Sequence, residues 1–134
     1  MAKISKIWAR EIIDSRAIPT LETAVQLDTG ITGVASVPSG TSTGKYEVVE
    51  LRDRDEKRFL GQGVLKAVSN VNEKIAPALI GSDPLSQFEI DKKMIALDSS
   101  VNKSNLGGNA ILSVSLAIGK VAASGAGTPL YNWF

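Results

Sequence analysis

The chain has no cysteine and no histidine. The first absence excludes a disulfide framework and thiolate chemistry, and it agrees with a cytosolic origin. The second removes the commonest general base and the commonest transition-metal ligand. Chemistry in these residues must therefore rest on carboxylates, lysines, hydroxyls and backbone groups. An excess of either charge is also missing. The net charge of +1 implies neither a nucleic-acid surface nor a polybasic membrane contact. No apolar run approaches the roughly 18 residues of a membrane span. The start, M-A-K-I-S-K, lacks a signal-peptide core. There is no internal repeat and no linker-like tract. What remains is 134 residues, 43% hydrophobic and 22% charged, which fits one domain over residues 1–134 with a real core.

The first forty residues read as strands. Ile4, Lys6, Trp8 and Arg10 fall on one face of a first run, with Ser5, Ile7 and Ala9 on the other. A second run alternates more cleanly, Leu21, Thr23, Val25 and Leu27 against Glu22, Ala24 and Gln26. Residues 14–19, D-S-R-A-I-P, form a turn between them. Asp28-Thr29-Gly30 supplies the next turn, before a short third strand around Val34 to Val37. Three strands with short connections predict an antiparallel meander.

From Gly61 the period becomes helical. Val64, Leu65, Val68, Val71, Ile75 and Leu79 share one face, and Pro77 should kink or end that helix. Asp83-Pro84 reads as a helix opening, with Leu85, Phe88, Met94 and Ile95 recurring towards Leu97. A last helix runs from about Gly108 to Ser124, striped by Ile111, Val114, Ile118 and Val121, with Gly125 past its end. It is dense in Ala, Ser and Gly, which permits close approach to a neighbour. The fold class is therefore α+β: a three-stranded antiparallel meander followed by about four helices.

One segment stands apart. V-P-S-G-T-S-T-G, Val37 to Gly44, has little to pack with and much to bind with. Segments of this composition are ordinarily plain surface loops. Its hydroxyls and backbone N–H groups also suit an oxyanion or a hard cation. It is not a nucleotide P-loop. Gly40 and Gly44 are separated by three residues rather than four, and Lys45 is followed by Tyr46 instead of Ser or Thr.

The order of motifs carries a resemblance. E-I-I-D-S-R-A-I-P-T at 11–20, V-P-S-G-T-S-T-G at 37–44 and E-L-R-D at 50–53 are followed by F-L-G-Q-G-V-L-K-A-V at 59–68. Then come N-K-S-N-L-G-G-N-A-I-L at 102–112, S-V-S-L-A at 113–117 and P-L-Y at 129–131. Together, over nearly the whole chain, they resemble the N-terminal domain of enolase (phosphopyruvate hydratase) in its bacterial-looking form.

The resemblance implies a capping domain of an enzyme that reversibly dehydrates 2-phosphoglycerate to phosphoenolpyruvate in glycolysis. The family's catalytic lysine, glutamate and first-metal ligands lie in a C-terminal barrel that these residues do not include, so no catalytic residue is expected here. The 134-residue chain alone is expected to be inactive. Ser39, Gly40, Thr41, Ser42, Thr43 and Gly44 would be the substrate lid, and Ser42 a ligand of the second Mg²⁺. In the isolated chain this loop would be mobile and ligand-free. Arg10 and Glu22 match positions of inter-subunit ion pairs, although exposed charge on a sheet face is the plainer reading. Glu47 and Glu50 follow the lid, and solvated acids are their default. Partners would be the substrate pair, the chain's own barrel and a second subunit of a homodimer, with no nucleic acid. The localisation implied is cytoplasmic, with surface or secreted pools in the family.

Three positions depart from the family pattern. D-S-R-G-N-P reads D-S-R-A-I-P, so either the turn uses ordinary φ angles or Ala17 and Ile18 carry strain. Thr41 takes the usual alanine place in the lid, and Gly108 replaces alanine in L-G-G-N-A. The closing Tyr131-Asn132-Trp133-Phe134 resembles packed chain more than a natural terminus, which suggests an N-terminal fragment of a working enolase. The competing reading is a non-catalytic binding or interaction module derived from enolase.

Overall fold

The computed structural model describes residues 2–38, 49–101 and 103–127. Three strands, β1 (Ile4–Ile13), β2 (Pro19–Leu27) and β3 (Thr32–Ser36), form the expected antiparallel meander in the order β1-β2-β3. Period-two alternation puts Leu21, Thr23, Val25 and Leu27 of the central strand on the core face, beside Gly33 and Ala35 of β3. β1 departs from simple alternation. Ile4 pairs with Leu27 but Lys6 pairs with Gln26, so one extra residue is inserted as a bulge. The phase slips by one, and Ile4 joins Ile7 and Ala9 in the core rather than sharing the outer face with Lys6, Trp8 and Arg10.

The β1–β2 turn is organised by Asp14. One oxygen of its carboxylate accepts the Arg16 and Ile18 N–H groups at 2.8 and 2.9 Å. The cost falls on Ala17, whose φ is +61°, while Ile18 keeps an ordinary φ. Strain therefore sits at one of the two departing positions.

A short turn at Phe59–Gly61 leads to a rod made of α1 (Leu65–Asn70), a π turn (Val71–Ile75) and α2 (Ala76–Leu79). Among its buried residues Ala67, Val71, Ile75 and Leu79 recur every four positions, with Asn70 and Ala76 beside them. On a regular α-helix that spacing drifts by about 40° per step. The wider π turn takes up part of the drift. It also precedes Pro77, whose ring would otherwise press on a carbonyl one turn back. Of the two neighbours expected on the buried stripe, Val64, just before the helix, is buried and Leu65 is exposed.

The next helix, α3 (Gln87–Asp98), starts later than Asp83-Pro84 suggests. Asp83 caps a separate turn, accepting the Leu85 N–H at 2.9 Å through its side chain and the Ser86 N–H at 3.1 Å through its carbonyl. The buried stripe is accordingly Ile90, Met94 and Asp98, leaving Leu85, Phe88, Ile95 and Leu97 exposed.

The last helix, α4 (Gly108–Gly125), lies across β2 and β3 and is the centre of the core, with Ala110, Val114, Ala117, Ile118 and Val121 buried. It runs through Gly125, and the backbone turns left-handed two residues on, at Gly127. Its small residues do permit close approach, and β3 answers with Gly33. A Cβ there would lie 2.7 Å from the Val121 nitrogen and 3.0 Å from the Ala117 oxygen. One buried polar contact joins the layers, Thr23 Oγ1 to Ser113 Oγ at 2.7 Å. The class is α+β as expected, and the described residues contain no barrel.

Candidate functional site

The lid candidates Ser39, Gly40, Thr41, Ser42, Thr43 and Gly44, and Glu47 with them, lie outside the described residues. The residues that flank them are described, and both flanks are tied to the core. On the first side Val37 is buried; its N–H donates to the Leu21 carbonyl at 3.2 Å, and its carbonyl accepts the Thr20 hydroxyl.

On the second side the tie is to the start of α4. The Gly108 N–H donates to the Val49 carbonyl at 2.7 Å. The side-chain amide of Asn109 then pairs with the backbone of Leu51, accepting its N–H at 3.0 Å and donating to its carbonyl at 3.3 Å. This copies the pairing of one strand with another. Gly107 makes room: its φ is +97°, and a Cβ there would fall 2.7 Å from both Asn109 Oδ1 and Leu51 Cβ.

Further along, Arg52 binds three groups at once. It pairs with Glu50 at 3.2 Å and donates to the Pro19 and Gln62 carbonyls. Its Nε is buried without a partner among the described residues. Asp53 accepts the Leu65 and Lys66 N–H groups at 2.9 and 2.8 Å, capping α1 from outside the helix. Glu11 accepts two bonds from Arg58 and the Val64 N–H at 2.8 Å. The Arg58 hydrogen bond, opposed by burial and helped by Val64, holds the Glu11 carboxyl below the ordinary carboxylate range.

Between the two flanks opens a cavity of about 400 Å³, reached by Val37, Pro38, Glu50, Asn109 and the apolar Ile95 and Leu112. Asp98 closes the loop that precedes α4. It is buried, yet it accepts the Leu106 N–H at 2.6 Å and both the N–H and hydroxyl of Ser100. Burial pushes its carboxyl up; those bonds and Lys103 together outweigh this and bring it below its ordinary value.

Arg10 and Glu22 are brought together, but with each other. They face across β1 and β2, with Arg10 Nε to Glu22 Oε1 at 2.9 Å, and Ser36 reaches the other Glu22 oxygen at 3.4 Å. No group of three or more acidic residues able to hold a metal ion occurs among the described residues. No helix among them is long and apolar enough to cross a membrane.

The architecture and the motif order agree with a family comparison. The model of the enolase N-terminal domain matches residues 4–134. The chain belongs to this family. In this enolase-type domain the residues that sequence reasoning missed are Asn109, Arg52 and Asp98. Asn109 sat inside a motif already singled out, L-G-G-N-A, but its partner is 58 positions away. Nothing in the local pattern points from one to the other.

Proposed function

We propose that this is the lid domain of an enolase that reversibly dehydrates 2-phosphoglycerate to phosphoenolpyruvate in glycolysis, within a cytoplasmic homodimer. The observation that carries the reading is the family match over residues 4–134. The ties at Val37 and at Val49 to Leu51 support it, because a loop that closes over substrate needs fixed ends. Ser42 would offer hydroxyl and carbonyl oxygens to a Mg²⁺ ion, the hard donors that ion prefers. When bound, Mg²⁺ supplies positive charge against the oxygens of an anionic substrate. The loop's own part is to exclude water and complete the site on closure, while acid–base groups come from the catalytic barrel. Arg10 and Glu22 would lie on the face offered to the partner subunit.

The enzyme that carries this domain should form phosphoenolpyruvate from 2-phosphoglycerate with Mg²⁺, and the 134-residue chain alone should not. Absence of turnover by the former, or turnover by the latter, overturns the reading. Within the enzyme, Ser42→Ala should lower the rate and raise the Mg²⁺ concentration needed for half-saturation, while changing folding stability by no more than about 0.5 kcal/mol.

A further inference from the structure

We propose that the outer edge of β3 pairs with the same edge of a second copy of this chain, antiparallel and centred on Val34. The pairing goes beyond the lid reading and does not depend on it.

The register fixes which groups are free. The Val37 N–H donates to the Leu21 carbonyl at 3.2 Å, and the Leu27 N–H donates to the Ile31 carbonyl at 2.9 Å. Residues of an edge strand alternate between bonding their neighbour and pointing away from it. Ile31, Gly33, Ala35 and Val37 therefore bond β2, while Thr32, Val34 and Ser36 turn their N–H and C=O groups outward. Those groups have no partner among the described residues. All three residues are exposed, Val34 by 42%.

The opposite edge of the sheet is closed. Ile4 of β1 exchanges backbone bonds with Gly81 and Ser82, and the Asn72 side chain takes both the N–H and the carbonyl of Ala9. Glu11 holds Arg58 and the Val64 N–H beside it. Natural sheets blunt an open edge with charge, proline or a bulge. β3, Thr32-Gly33-Val34-Ala35-Ser36, carries none of these.

The chemistry of the edge fits a copy of itself. A two-fold axis at Val34 sets that valine against its counterpart and Thr32 against Ser36. No like charges meet, and each pair exchanges two backbone bonds, about six in all. On the outer face the row Trp8, Ala24 and Val34 runs on into the same row of the copy. Because the β1 edge is covered, pairing stops at two chains instead of growing into a filament. Strands this short make a small interface, so the dimer is weak and reversible, with a Kd on the order of 10–100 µM.

Sedimentation of the 134-residue chain from about 1 µM to about 1 mM, with amide exchange followed residue by residue, tests the pairing. The chain should pass from monomer to dimer, and the Val34 amide should exchange about tenfold more slowly at the high end. Val34→Lys sets two ammonium groups face to face. Val34→Pro removes the outward N–H and no bond to β2. Each should raise Kd at least about tenfold with the circular dichroism spectrum unchanged. Trp8→Lys and Arg10→Glu alter the sheet face two strands away and should leave Kd within about twofold. A chain that stays monomeric throughout overturns the proposal. A dimer lost in Trp8→Lys or Arg10→Glu but kept in both Val34 variants puts the contact on the sheet face and overturns it too. So does slow Val34 exchange at every concentration, because the edge is then covered from within one chain.

Discussion

Replacing Gly33 by alanine should loosen the packing of α4 on the sheet. The new Cβ would meet the Val121 nitrogen at 2.7 Å, the Val121 Cβ at 2.9 Å and the Ala117 oxygen at 3.0 Å. Ordinary contact needs about 3.5–4.0 Å, so helix and strand must separate by roughly 0.5–1 Å. None of the three atoms can swing away, because all belong to the backbone or lie one bond from it. Overpacking of this kind costs about 1–3 kcal/mol. Alanine recovers about 0.4–1 kcal/mol by restricting the unfolded chain. The balance is a loss of up to about 2.6 kcal/mol, about 1.3 kcal/mol at the middle of both ranges. For a domain of this size that middle value lowers the melting temperature by about 4–6 °C. Thermal unfolding followed by circular dichroism measures it. Val121→Ala should not rescue the variant, since alanine keeps the same nitrogen and Cβ. A Gly33→Ala protein that melts at or above the parent temperature would refute the argument, as would rescue by Val121→Ala.

Ala17→Gly should leave stability unchanged or raise it by up to about 1 kcal/mol, because relief of the left-handed backbone exceeds or balances the added freedom of the unfolded chain. A clear drop in a urea titration midpoint would show that the turn is not strained. Glu11 and Asp98 both have carboxyls held below their ordinary values, so the unfolded chain binds protons that the folded one does not. Their contribution is present above the unfolded value near 4 and is lost as pH falls through the folded one. Stability measured across the acid range should therefore fall below about pH 5, and Glu11→Gln should make that fall shallower. An unchanged acid slope in the glutamine variant would remove Glu11 from the account.

Much of this domain could be read along the chain. The alternation of Leu21, Thr23, Val25 and Leu27 is a local property, and it set the core face of the central strand correctly. The same holds for the stripe of α4 through Val114, Ile118 and Val121, and for the order of motifs that marks the family. Periodicity works where one face is buried and the backbone is regular.

It failed where the backbone is not regular. The bulge before Lys6 reversed the phase of Ile4, and the separate turn at Asp83 delayed α3 and exposed Phe88 and Ile95. Both are settled by pairing and capping partners rather than by composition. The grip on the loop's flank is further still from local reading. Asn109 meets Leu51, Thr20 meets Val37, and Arg52 meets Pro19 and Gln62, each through side chains paired with backbone groups elsewhere in the chain. A side-chain amide satisfies any backbone N–H and C=O it is carried to. The local pattern told which segments are helix, strand and loop; which distant backbone each polar side chain completes followed only from packing α4 against the sheet.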